Sequence, residues 1–172
     1  MVRNIVLVLS LLVGTGTSFA KKASSDPHMI SQHGDWSVYK VDQGKDTVYY
    51  ALTYPKQSKG KYSKRGDVYI LITSRPKEGS YNVFSFHAGY PFKDGATVKI
   101  TIDNKKSFTA FANGETCWVP DDLDNQIADA FSKGKTVTIE GESARGTKTV
   151  DTFSLAGSGL AFKDLSKISR KG

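Results

Sequence analysis

The 172-residue chain contains a single cysteine, Cys117, so it has neither an intrachain disulfide nor a cysteine-rich zinc site. Its five prolines and sixteen glycines are too few for a collagen-like or linker protein. No run reaches the roughly 18 apolar residues of a membrane-spanning helix. The apolar share, 38%, and the formal net charge of +7 are instead typical of one globular domain with a basic surface.

The first twenty residues have the pattern of a secretory signal peptide. Arg3 supplies a positive start, residues 5–13 are apolar but for Ser10, and Ser18 and Ala20 place small residues at a cleavage site after Ala20. An uncleaved anchor is the alternative, but the apolar run is short for a membrane span. We therefore predict a signal peptide at 1–20, a flexible polar leader at 21–33, a domain at 34–166 and a basic tail at 167–172.

Short runs rich in Val, Ile, Thr, Tyr and Phe predict about eight antiparallel strands in a sandwich or barrel. The clearest hairpin has Val98, Ile100 and Ile102 alternating with polar residues before a turn at Asp103-Asn104. Other strands are predicted at 36–41, 48–54, 68–73, 81–87, 137–139 and 147–155. Two helices are predicted, one opening at 120–123 and ending before Gly134, the other at 160–165.

The motifs of familiar enzymes and metal sites are missing from the sequence. Ser158 lacks the Gly-x-Ser-x-Gly context of a nucleophile elbow. The acids of 121–124 lack the spacing of a calcium loop and suit a helix start instead. No Gly-rich phosphate loop follows a strand. We predict a protein that is not an enzyme and that has no cofactor or metal.

His28, His33 and His87 do not stand at metal-ligand spacing with a supporting carboxylate. We interpret His87 as a half-buried, hydrogen-bonded imidazole. A hydrolase of unfamiliar type stays open as an alternative, and it would require a cleft that joins His87 to Asp67 or Asp94. Cys117 lies beside Trp118 and Val119, which favours a buried thiol over an intermolecular partner.

The clearest polar feature is a basic stretch between residues 56 and 65 that contains no acid and has tyrosines nearby. A solvated loop is one interpretation of such a run, and contact with an anionic surface is the other. The residues predicted for anionic contact are Lys56, Lys59, Lys61, Tyr62, Lys64 and Arg65. Lys167, Arg170 and Lys171 add basic charge at the tail, and Arg145 is interpreted as a turn residue with a structural salt bridge.

Several segments, taken in order, resemble one protein family. They are Gly34-Asp35-Trp36-Ser37-Val38-Tyr39, Tyr50-Ala51-Leu52-Thr53, Arg65-Gly66-Asp67-Val68-Tyr69-Ile70-Leu71-Ile72-Thr73-Ser74-Arg75-Pro76, Ala88-Gly89-Tyr90-Pro91-Phe92, Ser143-Ala144-Arg145-Gly146-Thr147 and Thr152-Phe153-Ser154-Leu155-Ala156-Gly157. The chain resembles the invasion-associated locus B (IalB) family of alphaproteobacterial exported proteins, from about residue 34 to 165. That resemblance implies an Ig-like β-sandwich in the periplasm or at the outer membrane of a Gram-negative cell, and it brings no catalytic motif.

The cysteine pattern departs from the family. Members often have Cys where this chain has Tyr49, some where it has Lys40, and some pair a Cys with the position of Cys117. The disulfides that the resemblance implies are therefore not available here.

We predict a mainly β, Ig-like antiparallel β-sandwich with one or two short helices. We expect an exported, non-enzymatic envelope protein that binds an anionic lipid, lipopolysaccharide or another envelope protein. Periplasmic location is expected, with outer-membrane association or secretion as alternatives, and no transmembrane span is expected in the mature chain. Nucleic acid is a poor partner for an exported protein. A surface virulence or adhesion factor that promotes host-cell invasion is the alternative function, and it rests on the resemblance alone.

Overall fold

The structure, a computed structural model, describes residues 26–170. Within this range the chain forms eleven antiparallel strands and two α-helices, which confirms the predicted mainly β class. The strands are β1 (His28–His33), β2 (Trp36–Gln43), β3 (Asp46–Thr53), β4 (Gln57–Gly60), β5 (Tyr69–Arg75), β6 (Ser80–His87), β7 (Thr97–Ile102), β8 (Lys106–Asn113), β9 (Thr116–Trp118), β10 (Thr136–Glu142) and β11 (Lys148–Ser154). The helices are α1 (Asp124–Lys133) and α2 (Ser158–Ser169).

The strands form one hydrogen-bonded series in the order β1-β2-β3-β5-β6-β9-β8-β7-β10-β11-β4. The series folds back on itself, because Phe86 of β6 meets Phe153 of β11 edge to face with ring centroids 6.0 Å apart. Nε1 of Trp36, at the start of β2, also donates to the Ser154 carbonyl at the end of β11. The two halves of the series therefore face each other across a shared core, as in a β-sandwich.

Alternation along the strands decides which side chains enter that core. In β6, Phe84 and Phe86 are fully buried, while the neighbouring positions Val83 and Ser85 are only half-buried. Strand β5 follows the same two-residue period, with Ile70 buried on the inner side. Each large apolar side chain buried in this way stabilises the fold by about 1.5–3 kcal/mol relative to exposure.

The helices close one end of the sandwich around Trp36, which is fully buried. Phe131 of α1 and Phe162 of α2 meet its indole edge to face, with ring centroids at 6.3 and 5.0 Å. The apolar stripe predicted for α1 is thus the stripe that faces the core, and Gly134 follows its last residue as predicted.

The predicted hairpin at 98–112 is confirmed as β7 and β8. Both central turn residues have left-handed backbone, with φ of 50° at Asp103 and 55° at Asn104, and the Lys105 N–H donates to the Ile102 carbonyl at 2.9 Å to close the turn. The Asp103 carboxylate also accepts hydrogen bonds from the backbone N–H groups of Thr136 and Lys135. These bonds, that from Thr136 foremost, lower the pKa of Asp103.

Several boundaries differ from the sequence predictions. Residues 28–33, predicted to belong to a flexible leader, form β1 and pair with β2. Strand β4 lies inside the basic stretch, and β9 follows the hairpin without having been predicted. Helix α2 is longer than predicted and includes Lys167, which had been placed in the tail. The predicted signal peptide and Lys171 lie outside the described residues. Neither helix within 26–170 is long and apolar enough to cross a membrane.

Candidate functional site: a basic cleft

The second half of the basic stretch borders a cleft of about 610 Å³, called here the basic cleft. Four parts of the chain meet around it: the loop after β4, the segment after β6, the turn between β8 and β9 that carries Glu115, and the turn between β10 and β11. Its lining consists of residues 61–66, 89–91, 115, 143–145, 147 and 149.

Strand pairing fixes the position of the basic loop. Strand β4 pairs with β11, which places Gly60 opposite Thr149. The chain then leaves the sheet and crosses to the segment after β6, where the Gly66 N–H donates to the Gly89 carbonyl at 2.9 Å. Gly89 has a φ of +68°, and a Cβ there would lie 2.5 Å from the Gly66 oxygen. Only glycine allows this approach, so the loop is held at both ends.

Arg65 lines the cleft and holds the basic loop in place through hydrogen bonds to two other parts of the chain. Its Nη1 and Nη2 donate to the two carboxylate oxygens of Asp151 at 2.8 and 2.7 Å, and its Nε donates to the Ala88 carbonyl. The two side chains are 5% and 0% exposed. Burial alone would lower the pKa of Arg65, but the hydrogen bonds and the charge of Asp151 outweigh it and raise that pKa. The guanidinium therefore stays charged, and its two hydrogen bonds to Asp151 join the loop to β11.

Two tyrosines enclose the Arg65 guanidinium. Its central carbon lies 4.8 Å from the ring centroid of Tyr90 and 5.4 Å from that of Tyr62. The Tyr90 hydroxyl hydrogen-bonds to Oγ1 of Thr149 at 2.6 Å. Burial raises the pKa of Tyr90, although this hydrogen bond and the Arg65 charge oppose the rise. Tyr90 is therefore a neutral phenol at physiological pH, and these rings stabilise the arginine by cation–π attraction.

The rim of the cleft carries charge that the protein does not neutralise. Lys61, Lys64 and Arg145 are exposed, and none forms a salt bridge with a carboxylate among residues 26–170. By contrast, lysines elsewhere on the surface pair with acids, as Lys93 does with Glu142, Lys99 with Glu140 and Lys133 with Asp129. The salt bridge predicted for Arg145 is thus absent among the described residues, although its place in a turn is confirmed. The rim therefore carries positive charge, and Ser and Thr hydroxyls lie beside it.

The six residues predicted for anionic contact separate into three groups. Lys61, Tyr62, Lys64 and Arg65 line the basic cleft, but the Arg65 guanidinium is buried against Asp151 and does not face solvent. Lys59 lies on the edge strand β4 and is exposed. Lys56 lies apart from the cleft.

Lys56 is paired with Asp35, on the other side of β4 from the basic cleft. The hydrogen bond from Lys56 is the first cause of the lowered pKa of Asp35, followed by one from Ser154. This pair borders a separate, smaller cavity of about 230 Å³. Lys56 and Arg65 share one feature that the sequence did not indicate: each has an acid close to it in space but distant in sequence.

Sequence reasoning missed the other half of the cleft. Tyr90, Arg145 and Asp151 come from segments that are distant in sequence from the basic stretch, and only the folded sheet brings them together. One signal was present: three of the segments on which the family resemblance rests, those beginning at Arg65, Ala88 and Ser143, meet at this cleft.

His87 does not line the basic cleft. Its ring stacks on Tyr69 with centroids 4.8 Å apart, its Nδ1 lies 3.2 Å from Oγ1 of Thr116, and its Nε2 lies 3.4 Å from the Glu115 carboxylate. Burial lowers the pKa of His87, and Glu115 and Asp67 oppose that shift. It is thus half-buried and hydrogen-bonded as predicted, and the carboxylate near its ring is that of Glu115 rather than Asp67 or Asp94.

Cys117 is fully buried in the core, which confirms the buried thiol, and burial raises its pKa. Among residues 26–170 no three His, Cys, Asp or Glu side chains are grouped closely enough to hold a metal ion.

The chain matches one family model over most of its length. The model is described as Invasion associated locus B (IalB) protein, and it covers residues 36–166. The matched region begins at the first residue of β2 and ends within α2, so it contains the whole basic cleft. Comparison with curated proteins and with solved structures gives no match to this chain.

Proposed function

The chain belongs to the invasion associated locus B family, and on that premise we propose that it is an exported, non-enzymatic envelope protein that binds an anionic surface through the basic cleft. The signal-peptide pattern of residues 1–20 supports export to the periplasm. The family's name associates the chain with invasion, and the anionic component is proposed to be the phosphate-bearing head groups of the envelope membrane.

One observation supports the binding site above all. Lys61, Lys64 and Arg145 lie on the rim of the cleft and form no salt bridge among residues 26–170. Asp151, behind the cleft wall, is paired with Arg65, and Glu115, the acid of the cleft lining, lies 3.4 Å from His87. The cleft wall thus supplies rigidity and the rim supplies free positive charge. Each Lys or Arg close to an anionic membrane contributes about 1 kcal/mol, and salt screens that attraction.

The test is co-sedimentation with vesicles that contain phosphatidylglycerol in a zwitterionic lipid. The triple variant Lys61→Gln/Lys64→Gln/Arg145→Gln removes the three rim charges, so we expect a loss of about 3 kcal/mol, or roughly 100-fold in affinity. We expect wild-type binding to disappear near 0.5 M salt, where the screening length is about 4 Å.

A matched control separates the cleft from the net charge. Lys45→Gln/Lys105→Gln/Lys163→Gln removes the same charge from exposed lysines outside the cleft lining. Lys45 and Lys105 lie in hairpin turns at the ends of β2 and β7 that point away from the cleft. We expect this variant to bind almost as the wild type does. Equal losses in both triple variants, or no loss in the first, contradict the proposed site.

A further inference from the structure

The described residues that line the basic cleft include one acid, Glu115. It lies in the turn between β8 and β9, and its side chain is 47% exposed. Its backbone carbonyl accepts a hydrogen bond from the Ala88 N–H at 2.9 Å, and the Ala88 carbonyl in turn accepts the hydrogen bond from Nε of Arg65. The backbone at Ala88 therefore fixes Glu115 close to the cleft wall, where its carboxylate repels a bound anion.

Glu115 also connects the cleft to a histidine that does not line it. Nε2 of His87 lies 3.4 Å from the Glu115 carboxylate, and Nδ1 lies 3.2 Å from Oγ1 of Thr116. Each ring nitrogen thus has an oxygen atom near it, which suits the imidazolium because that form donates through both nitrogens. The ring also stacks on Tyr69 with centroids 4.8 Å apart, and an aromatic face attracts a cation. The surroundings of His87 can therefore hold its protonated form beside Glu115.

Two acids and one phenol face His87 from the elements packed against it. Burial lowers the pKa of His87, whereas Glu115 in the β8–β9 turn and Asp67 in the loop before β5 act to raise it. Burial raises the pKa of Tyr69 on β5, so its phenol is neutral at physiological pH. Imidazole is the side chain that ordinarily changes its charge between about pH 5 and about pH 8. Acidification over that range therefore acts on this cluster through His87.

We propose that acidification strengthens anion binding at the basic cleft, because a protonated His87 pairs with Glu115 and compensates its negative charge. This inference rests on the proposed function, since it concerns the regulation of the same site. While His87 is neutral, the Glu115 carboxylate opposes the attraction of the rim cations Lys61, Lys64 and Arg145. Protonation changes the local charge by one unit, so we expect about fivefold tighter binding to an anionic membrane.

The test is co-sedimentation of the full-length protein, recovered from the envelope fraction, with phosphatidylglycerol vesicles at about pH 5 and about pH 8 and at constant ionic strength. Phosphatidylglycerol is a phosphodiester, so its own charge does not change between these conditions. We expect the wild type to bind about fivefold more tightly at the lower pH. His87→Gln removes the titrating ring, and we expect it to bind at both pH values as the wild type does at the higher pH.

Glu115→Gln separates the acid from the histidine. Its cleft lacks the opposing carboxylate, so we expect it to bind at the higher pH about as tightly as the wild type binds at the lower pH. Its pH dependence should be smaller, because Glu115 no longer raises the pKa of His87. His33→Gln is the matched control, since His33 lies on β1 beside Asp164 and does not line the cleft. We expect this variant to keep the fivefold change, and thermal unfolding shows whether each variant folds.

A second measurement needs no variant. If protonation strengthens binding fivefold, then saturating micelles of short-chain phosphatidylglycerol raise the midpoint of the His87 titration by about 0.7 pH units, because the coupling is reciprocal. NMR of the imidazole carbons follows this midpoint in the wild type. The midpoint for His33 should be the same with and without lipid.

The outcomes distinguish this inference from the proposed function. A wild type that binds with equal affinity at both pH values, with an unchanged His87 midpoint, overturns the inference and leaves the proposed function intact. A pH dependence that persists in His87→Gln has the same meaning. A wild type that binds at neither pH overturns the proposed function, and the inference fails with it.

Discussion

The Arg65–Asp151 pair is the feature whose energy can be worked out most directly from the structure. The carboxylate is fully buried, the guanidinium is 5% exposed, and two hydrogen bonds of 2.7 and 2.8 Å join them. Asp151→Asn keeps the shape of the side chain and removes its charge. The guanidinium is then buried without a counter-ion, a situation that costs about 3–5 kcal/mol in other proteins. The remaining amide oxygen still accepts a hydrogen bond, so we expect about 3 kcal/mol.

That loss is large compared with the 5–15 kcal/mol of total stability that a domain of this kind has. With about 2–4 °C per kcal/mol for a chain of this size, we expect the melting temperature to fall by about 6–12 °C. Urea unfolding monitored by tryptophan fluorescence measures the free energy at constant temperature, because Trp36 is fully buried in the core. Replacing both partners, in Arg65→Met/Asp151→Leu, removes the unpaired charge and restores most of the lost stability.

The exposed pair of Lys133 and Asp129 is the control, with side chains 73% and 58% exposed. Asp129→Asn leaves the unfolding free energy almost unchanged, because exposed pairs contribute little. A loss below about 1 kcal/mol for Asp151→Asn would refute the reasoning, since it would mean that solvent reaches the guanidinium and compensates its charge. A double variant that is as unstable as Asp151→Asn would refute it as well.

Two further outcomes follow from the backbone and from titration. In urea unfolding, Gly89→Ala is expected to destabilise the fold by at least about 2 kcal/mol more than Gly95→Ala. Both glycines have φ near +69°, but only a Cβ at Gly89 would meet the Gly66 backbone. Equal losses in the two variants would contradict the close approach of Gly89 to Gly66. The hydrogen bond from His33 lowers the pKa of Asp164 in the folded protein. The Asp164 carboxylate therefore stabilises the fold at pH values above the pKa that it has in the unfolded chain. That stabilisation is lost as the pH falls through the lowered pKa of the folded protein. Asp164→Asn should therefore be less stable than the wild type at pH 7 and equal to it near pH 2, and a stability difference that persists at the lower pH would contradict this assignment.

The local sequence pattern was sufficient to predict a strand or a helix wherever one face of that element is apolar. The alternation of β7, the Asp103-Asn104 turn and the stripe of α1 all predicted the observed elements, because their own side chains decide their burial. Strand β1 has no such pattern, since its sequence is polar at four of six positions. It forms because β2 offers a free edge and because Asp164 of α2 accepts hydrogen bonds from Ser31 and His33. These partners are more than 130 residues away in sequence.

In the candidate site, too, local sequence predicted some residues, and others depend on partners that are distant in sequence. The lysine run was visible in the sequence, and Lys61 and Lys64 do lie on the rim of the cleft. The burial of Arg65 was not visible, because arginines and lysines in a run differ only through partners that the fold supplies. Asp151 lies between Val150 and Thr152 in β11, and neither neighbour indicates an acid directed into the interior.

The position of β4 has a consequence for the order of folding. Its partner strand β11 begins at Lys148, near the end of the chain, and Arg65 finds Asp151 across 86 residues. Contacts of this separation form late, because the chain must first close a long loop. In the export that we propose, with the N-terminus crossing first, the lysines cross the membrane long before β11 arrives to position them. The proposed anion site would therefore form only after nearly all of the domain has crossed.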